Sequence, residues 1–178
     1  MKKIVFLLLL IPIIGFSQEK PKELTYTDVV KVDSLVTAKQ LYINAKSWFA
    51  ESYKNSKYVI QLEDKEEGKI IGNGSFPYRS NIFIGNAASV GYINYTITIY
   101  VKDGRYKYEI ANIIHEGAST SFGKISDLES FIKDKPSKGW RTKVFNDLKT
   151  QIDDYFNVLI NELKSYMLKA SSINNDKW

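Results

Sequence analysis

Lys102-Asp103-Gly104-Arg105 is the segment that most restricts how this chain can fold. Asp-Gly between two alternating runs is the strongest short-range signal for a two-residue β-hairpin, because the tight turn needs residues that accept positive φ. Taking Asp103 and Gly104 as the turn sets a register. Val101 then faces Tyr106, Ile99 faces Tyr108, Ile97 faces Ile110, Tyr95 faces Asn112 and Ile93 faces Ile114. Apart from Asn112 that row is apolar. A slip of one residue would bring Lys107 and Glu109 into it, since a side-chain period of two turns every residue over. The opposite row holds Tyr92, Asn94, Thr96, Thr98, Tyr100, Lys107, Glu109 and Ala111. One side of the hairpin suits a core, and the other is polar but rich in Thr and Tyr.

The other elements are read around that hairpin. Residues 24–32 alternate, with Leu24, Tyr26, Asp28, Val30 and Val32 on one side, and predict a strand. In 37–54, Ala38, Leu41, Tyr42, Ala45, Trp48 and Phe49 recur at three- and four-residue spacing, which is one face of a helix. Trp48 and Phe49 are its expected core anchors. Residues 58–62 and 69–78 read as strands joined by the acidic turn 63–68, where Gly68 suits a position of positive φ. Gly72 and Gly74 mark either a bulge or a place where another element packs tightly over the backbone. Residues 116–123 read as loop, and Ser126-x-x-Glu129 as a capping box opening a short helix to Lys133. From 140 to 170 a long amphipathic helix is expected. Its stripe is Val144, Leu148, Ile152, Tyr155, Phe156, Leu159, Leu163, Tyr166 and Met167. At about 1.5 Å per residue it reaches roughly 45 Å, enough to cross a whole sheet.

The first residues speak to compartment. Lys2 and Lys3 precede an apolar run from Ile4, and Gly15 and Ser17 supply small residues for cleavage before Gln18. The run would span only about 20 Å as a helix, short of a hydrocarbon core of about 30 Å. A cleavable export signal over 1–17 is expected, with a periplasmic or extracellular product. The chain has no Cys, so the lipid attachment point of a lipoprotein is missing. Removing Lys2 and Lys3 lowers the formal charge of +5 by two, too little to suggest a nucleic-acid partner. A 178-residue chain with 44% hydrophobic and 25% charged residues has globular composition and room for one domain. That domain is placed at 24–170, after a polar lead-in at 18–23 and before a polar tail at 171–178.

The order β-α-β-β-β-β-α, an antiparallel sheet of about five strands with a long C-terminal helix on one face, is an α+β arrangement. Three stretches carry a family likeness: Trp48-Phe49, the run from Gly68 to Gly74 (Gly-Lys-Ile-Ile-Gly-Asn-Gly), and the run from Tyr100 to Ile110 around the hairpin turn. Over 24–117 the chain resembles the family catalogued as domain of unknown function 4468, described as TBP-like in fold. The resemblance implies an exported bacterial protein with a fold like one half of the TATA-binding protein saddle. It implies no activity and transfers no functional residue, and the fold name alone does not import DNA binding.

Residues capable of chemistry are sparse. His115 is the only His. Ser119 and Ser121 lie near it without a nucleophile-elbow pattern, so His115 reads as a solvated residue at a strand end. Metal ligation is not expected: Asp64, Glu66 and Glu67 lack calcium-loop spacing, and one His without Cys does not build a zinc site. Gly72-x-Gly74 opens no helix that would hold a phosphate. No cofactor is implied. Two groups of residues suit binding. Tyr92, Thr96, Thr98 and Tyr100 form a candidate interaction surface, and Tyr95, Tyr108, Tyr155 and Phe156 are candidates to line a cavity between sheet and long helix. Lys133, Lys135, Lys138, Arg141 and Lys143, around Trp140, form a basic run that would suit an anionic envelope surface. The favoured function is a non-catalytic binding or structural module of the cell envelope, with an unknown envelope protein or small ligand as partner. A carrier of a small apolar ligand is the alternative, and a hydrolase using His115 comes third.

Overall fold

A computed structural model describes residues 22–53, 56–126 and 140–169. The expected export signal, the Ser126-x-x-Glu129 helix beyond Ser126, the tail, and the basic run as far as Lys138 lie outside these residues. In chain order the elements are β1 (Tyr26–Lys31), α1 (Ala38–Ser52), α2 (Ser56–Val59), β2 (Ile60–Asp64), β3 (Lys69–Tyr78), α3 (Phe83–Ser89), β4 (Gly91–Lys102), β5 (Arg105–Gly117), β6 (Gly123–Lys124) and α4 (Trp140–Lys169). The strands form an antiparallel sheet in the order β1-β5-β4-β3-β2, and β6 pairs with β5 beyond the reach of β1. The expected α+β architecture is present, with α1 and α4 packed together on one face.

The hairpin turn forms as its residues require, with Gly104 at φ 69° and Lys102 opposite Arg105. It also anchors the first helix. Asp103 accepts a hydrogen bond from the backbone N–H of Ala38 at 2.7 Å, and the Gly104 N–H donates to the Val36 carbonyl at 2.9 Å. A carboxylate at a helix N-terminus meets unpaired N–H groups and the positive end of the dipole. Thr37 and Gln40 add a reciprocal capping box at the same end.

The expected register holds from Val101–Tyr106 to Ile97–Ile110 and then shifts by one residue. Thr96 faces Ala111, whereas Asn94 faces Ile114 and Ile93 faces His115. Asn112 is the extra residue, at φ 53°. Asn tolerates this left-handed conformation better than most side chains. The bulge reverses the alternation of β5 beyond it: Ile113 and His115 point into the core, and Ile114 turns outward. The expectation that Ile93 meets Ile114 therefore fails.

Three short elements also depart from the expected pattern. Residues 58–59 belong to α2 rather than a strand, α3 was not anticipated, and Gly123 and Lys124 pair with β5 where loop was expected. Each is too short for a period to emerge from sequence.

Gly72 and Gly74 mark tight packing, and at Gly72 the pairing with β2 also shifts by one residue, Ile60 facing Gly72 and Leu62 facing Ile71. A Cβ on Gly72 would lie 2.5 Å from the Phe49 ring, and one on Gly74 would lie 2.2 Å from the Tyr95 ring. The core continues through Trp48, Phe49, Ile97, Ile99 and Ile110 to the α4 stripe, which includes the unexpected Phe145 and Ile160. Forcing a methyl group into such packing costs about 1–3 kcal/mol. Gly74→Ala is expected to lower the urea midpoint accordingly, while Ser75→Ala, on the exposed side of the same strand, leaves it unchanged. Equal midpoints for the two variants would contradict this packing.

Candidate functional site

Both long helices lie on one side of the sheet, and among the described residues no element covers the other. Side chains of alternate residues along β4 project there: Tyr92 is 59% exposed, and Asn94, Thr96, Thr98 and Tyr100 are half-buried between neighbouring strands. The four residues of the expected interaction surface are thus brought into one line. Strand pairing supplies their flanks. Pro77, Asn73, Ile71 and Lys69 of β3 stand opposite Tyr92, Thr96, Thr98 and Tyr100. On the β5 side the corresponding partners are Glu116, Ala111, Glu109 and Lys107. Thr96 donates to the Asn73 side chain at 3.0 Å, and Asn94 to Glu116 at 3.0 Å.

At the hairpin end the surface becomes cationic. The ammonium groups of Lys69 and Lys107 lie 5.4 and 5.8 Å from the centre of the Tyr100 ring, within range of attraction to its π faces. Lys107 also pairs with Glu109 at 2.9 Å. The hairpin register already places Lys107 on this face, but Lys69 is not visible there from sequence, because the turn reveals the β4–β5 pairing and not which β3 or β1 residues lie beside it.

The residues expected to line a cavity behave differently. Tyr95, Tyr155 and Phe156 do come together, joined by Phe76 and Tyr53, and they pack ring against ring between sheet and helix. Phe76 and Tyr155 stack at 3.8 Å, and Tyr95 meets Phe156 edge-on at 4.9 Å. The Tyr95 hydroxyl bridges those of Tyr53, at 3.0 Å, and Tyr155, at 3.3 Å. Burial pushes the Tyr95 phenol pKa far up, so it stays neutral. Tyr108 is not part of this cluster. It lies opposite Asp28 of β1, with the Lys164 ammonium 5.8 Å from its ring. Beside these rings runs a groove of about 700 Å³, lined by Tyr53, Tyr95 and Tyr155 together with the polar side chains of Asn73, Ser75, Asn94 and Thr96.

His115 is buried rather than solvated, because the Asn112 bulge turns it inward. The Phe122 N–H donates to Nδ1 at 3.0 Å, so Nε2 carries the proton and donates to the Ser89 carbonyl at 2.8 Å. Both nitrogens are occupied by backbone, and no lone pair remains to deprotonate a nucleophile. The ring ties α3 and the segment before β6 to β5. Asp147 of α4 does related work nearby, accepting from Tyr78, Gln151, and both the backbone and side chain of Asn81. Burial, reinforced by the Asp147 charge, pushes the Tyr78 phenol up to about 12.

The family described as Domain of unknown function (DUF4468) with TBP-like fold matches residues 26–116, from β1 to the penultimate residue of β5. The chain belongs to this family. Two solved structures share the fold. A TBP-like protein from Parabacteroides distasonis is 14% identical, with a TM-score of 0.55 over 80% of this chain and 93% of its own. A DUF4468 family protein from Bacteroides ovatus is 16% identical, with a TM-score of 0.58 over 82% of this chain and 86% of its own. No curated protein matches the chain in sequence. At these identities the likeness concerns fold alone, as with the DUF4468 family itself, whose description names no activity.

Burial lowers the His115 pKa below its ordinary value of 6.5. On unfolding the ring regains that value, so as pH falls below it the unfolded chain takes up a proton that the folded chain resists. The stabilisation is complete above pH 6.5 and is lost as pH falls through the folded pKa. Thermal midpoints at pH 7.5 and 5 should therefore fall further apart in the native chain than in His115→Gln. An identical pH dependence in both would contradict the buried neutral ring.

Proposed function

We propose that this DUF4468 protein is exported and acts outside the cytoplasm as a non-catalytic binding or structural module, meeting its partner with the open face of the sheet. The reading is carried by one observation: Tyr92, Thr96, Thr98 and Tyr100 stand in a line on the face opposite α1 and α4. Tyr offers a large rigid contact area with a polar tip, and Thr offers short side chains that hydrogen-bond at little entropic cost. The engagement of both His115 nitrogens by backbone supports the non-catalytic part of the reading. Export rests on the basic, apolar and small-residue sequence of 1–17.

Both parts are open to test in producing cells. The mature chain is expected to begin at Gln18 by mass spectrometry, and recovery only of chains retaining Met1 would contradict export. A photocrosslinking residue at Thr96 should yield adducts, whereas the same residue at Val158, exposed on α4, should not. Adducts from Val158 alone would move the binding surface to the helices.

A further inference from the structure

The pairing of the strands arranges the cations of the open face in two adjacent rows across the hairpin end. Lys31 stands opposite Arg105, and Arg105 opposite Lys102, on β1, β5 and β4. In the next row Val29, Lys107, Tyr100 and Lys69 stand side by side on β1, β5, β4 and β3. Neighbouring strands are about 4.8 Å apart, and successive residues on one face about 7 Å. The rows therefore bound a track running across the strands. A groove of about 430 Å³ lies in it, lined by Val29, Tyr100, Lys102, Arg105, Tyr106 and Lys107. The acidic side chains nearest this group are Asp103 in the turn, which is bonded to the Ala38 N–H, Glu109, which already pairs with Lys107, and Asp64, opposite Lys69. Positive charge is in excess there.

We infer that this end of the open face binds a linear acidic polysaccharide, its carboxylates seated between the two cation rows and its hydroxyls meeting the polar side chains beyond. The inference rests on the open-face reading above and names the chemistry of the partner. Three features select this class of ligand. Next to the cations the face carries Thr27, Thr96, Thr98, Asn73, Ser75 and Asn94, hydroxyl and amide groups that suit sugar hydroxyls. A lipid surface would need a greasy patch to insert. Here Val29 on one edge strand is separated from Ile71 on β3 and Leu62 on the other edge strand by the charged centre. An extended acidic peptide laid on the face would meet side chains only, leaving its own N–H and C=O groups without strand partners. Lys69 and Lys107 already occupy the flanks of the Tyr100 ring, so the phenol contributes its hydroxyl rather than an open stacking surface.

The test uses the chain as isolated from producing cells, with polygalacturonate as probe. Dextran, poly-glutamate and phosphatidylglycerol–phosphatidylcholine vesicles are the comparisons. Polygalacturonate should bind, dextran should not, and binding should disappear in molar salt, where the screening length falls to about 3 Å. The double variant Lys102→Glu/Arg105→Glu should weaken binding roughly tenfold or more. Lys57→Glu/Lys149→Glu, an equal charge change on α2 and α4, should leave it within about twofold. Equal weakening by both variants would reduce the effect to net charge and overturn the inference. Tighter binding of poly-glutamate or of the vesicles would overturn it in favour of a peptide or a membrane. Absence of polygalacturonate binding, with Thr96 adducts still forming in cells, would end this inference while leaving the open-face reading intact. Loss of the Thr96 adducts would end the open-face reading itself.

Discussion

One extra residue in β5 decides which side of this protein is greasy. With Asn112 at φ 53°, the strand gains a residue opposite Tyr95 and its alternation changes phase. Before the bulge, Tyr106, Tyr108 and Ile110 face the helices; after it, Ile113 and His115 do. Had the alternation continued, a polar Asn112 would enter the core and His115 would project from the opposite face. A bulge adds local twist and re-aims the side chains after it. In this chain it completes the apolar layer and keeps the other face for contact.

The inward half of the sheet then closes around aromatic rings. Glycines at 72 and 74 let Phe49 and Tyr95 lie directly on the β3 backbone, and Phe76, Tyr155 and Phe156 pack against that layer from strand and helix. Hydroxyls that must be buried with these rings bond to one another, as Tyr53, Tyr95 and Tyr155 do. Polar groups without water need such partners. At the far end of the sheet His115 and Asp147 supply hydrogen bonds to backbone that no strand reaches. The His and carboxylate chemistry of this region is thereby spent on structure.

How much of this was legible in the sequence depended on whether the deciding contact was local. The 103–104 turn, α1 and α4 follow from neighbouring residues and a clear period, so their positions were recovered closely. Register was correct for as long as it depended on the turn alone and failed at Asn112, where a polar residue in an apolar row was the one visible warning. His115 was misplaced as a direct consequence. Tyr95, Tyr155 and Phe156 meet as their grouping implies, whereas Tyr108 stands apart beside Asp28 and Lys164, because the position of α4 along the sheet is not a local property of the sequence. The Thr and Tyr line of β4 was legible because alternation places it. The cations of β1 and β3 beside it were not, since only long-range pairing brings them there. The low identity to the Parabacteroides and Bacteroides structures fits the same view, because a fold held by pattern tolerates extensive replacement of residues.

The native chain has no Cys, so single cysteines placed along β5 report exposure without background. Reaction of a water-soluble maleimide with cysteines at 110, 111, 112, 113 and 114 measures the phase of the strand directly. The bulge predicts reaction at 111, 112 and 114 and protection at 110 and 113. Protection at 112 and 114 with reaction at 113 would show unbroken alternation, and the division of the sheet into a covered and an open face would have to be redrawn.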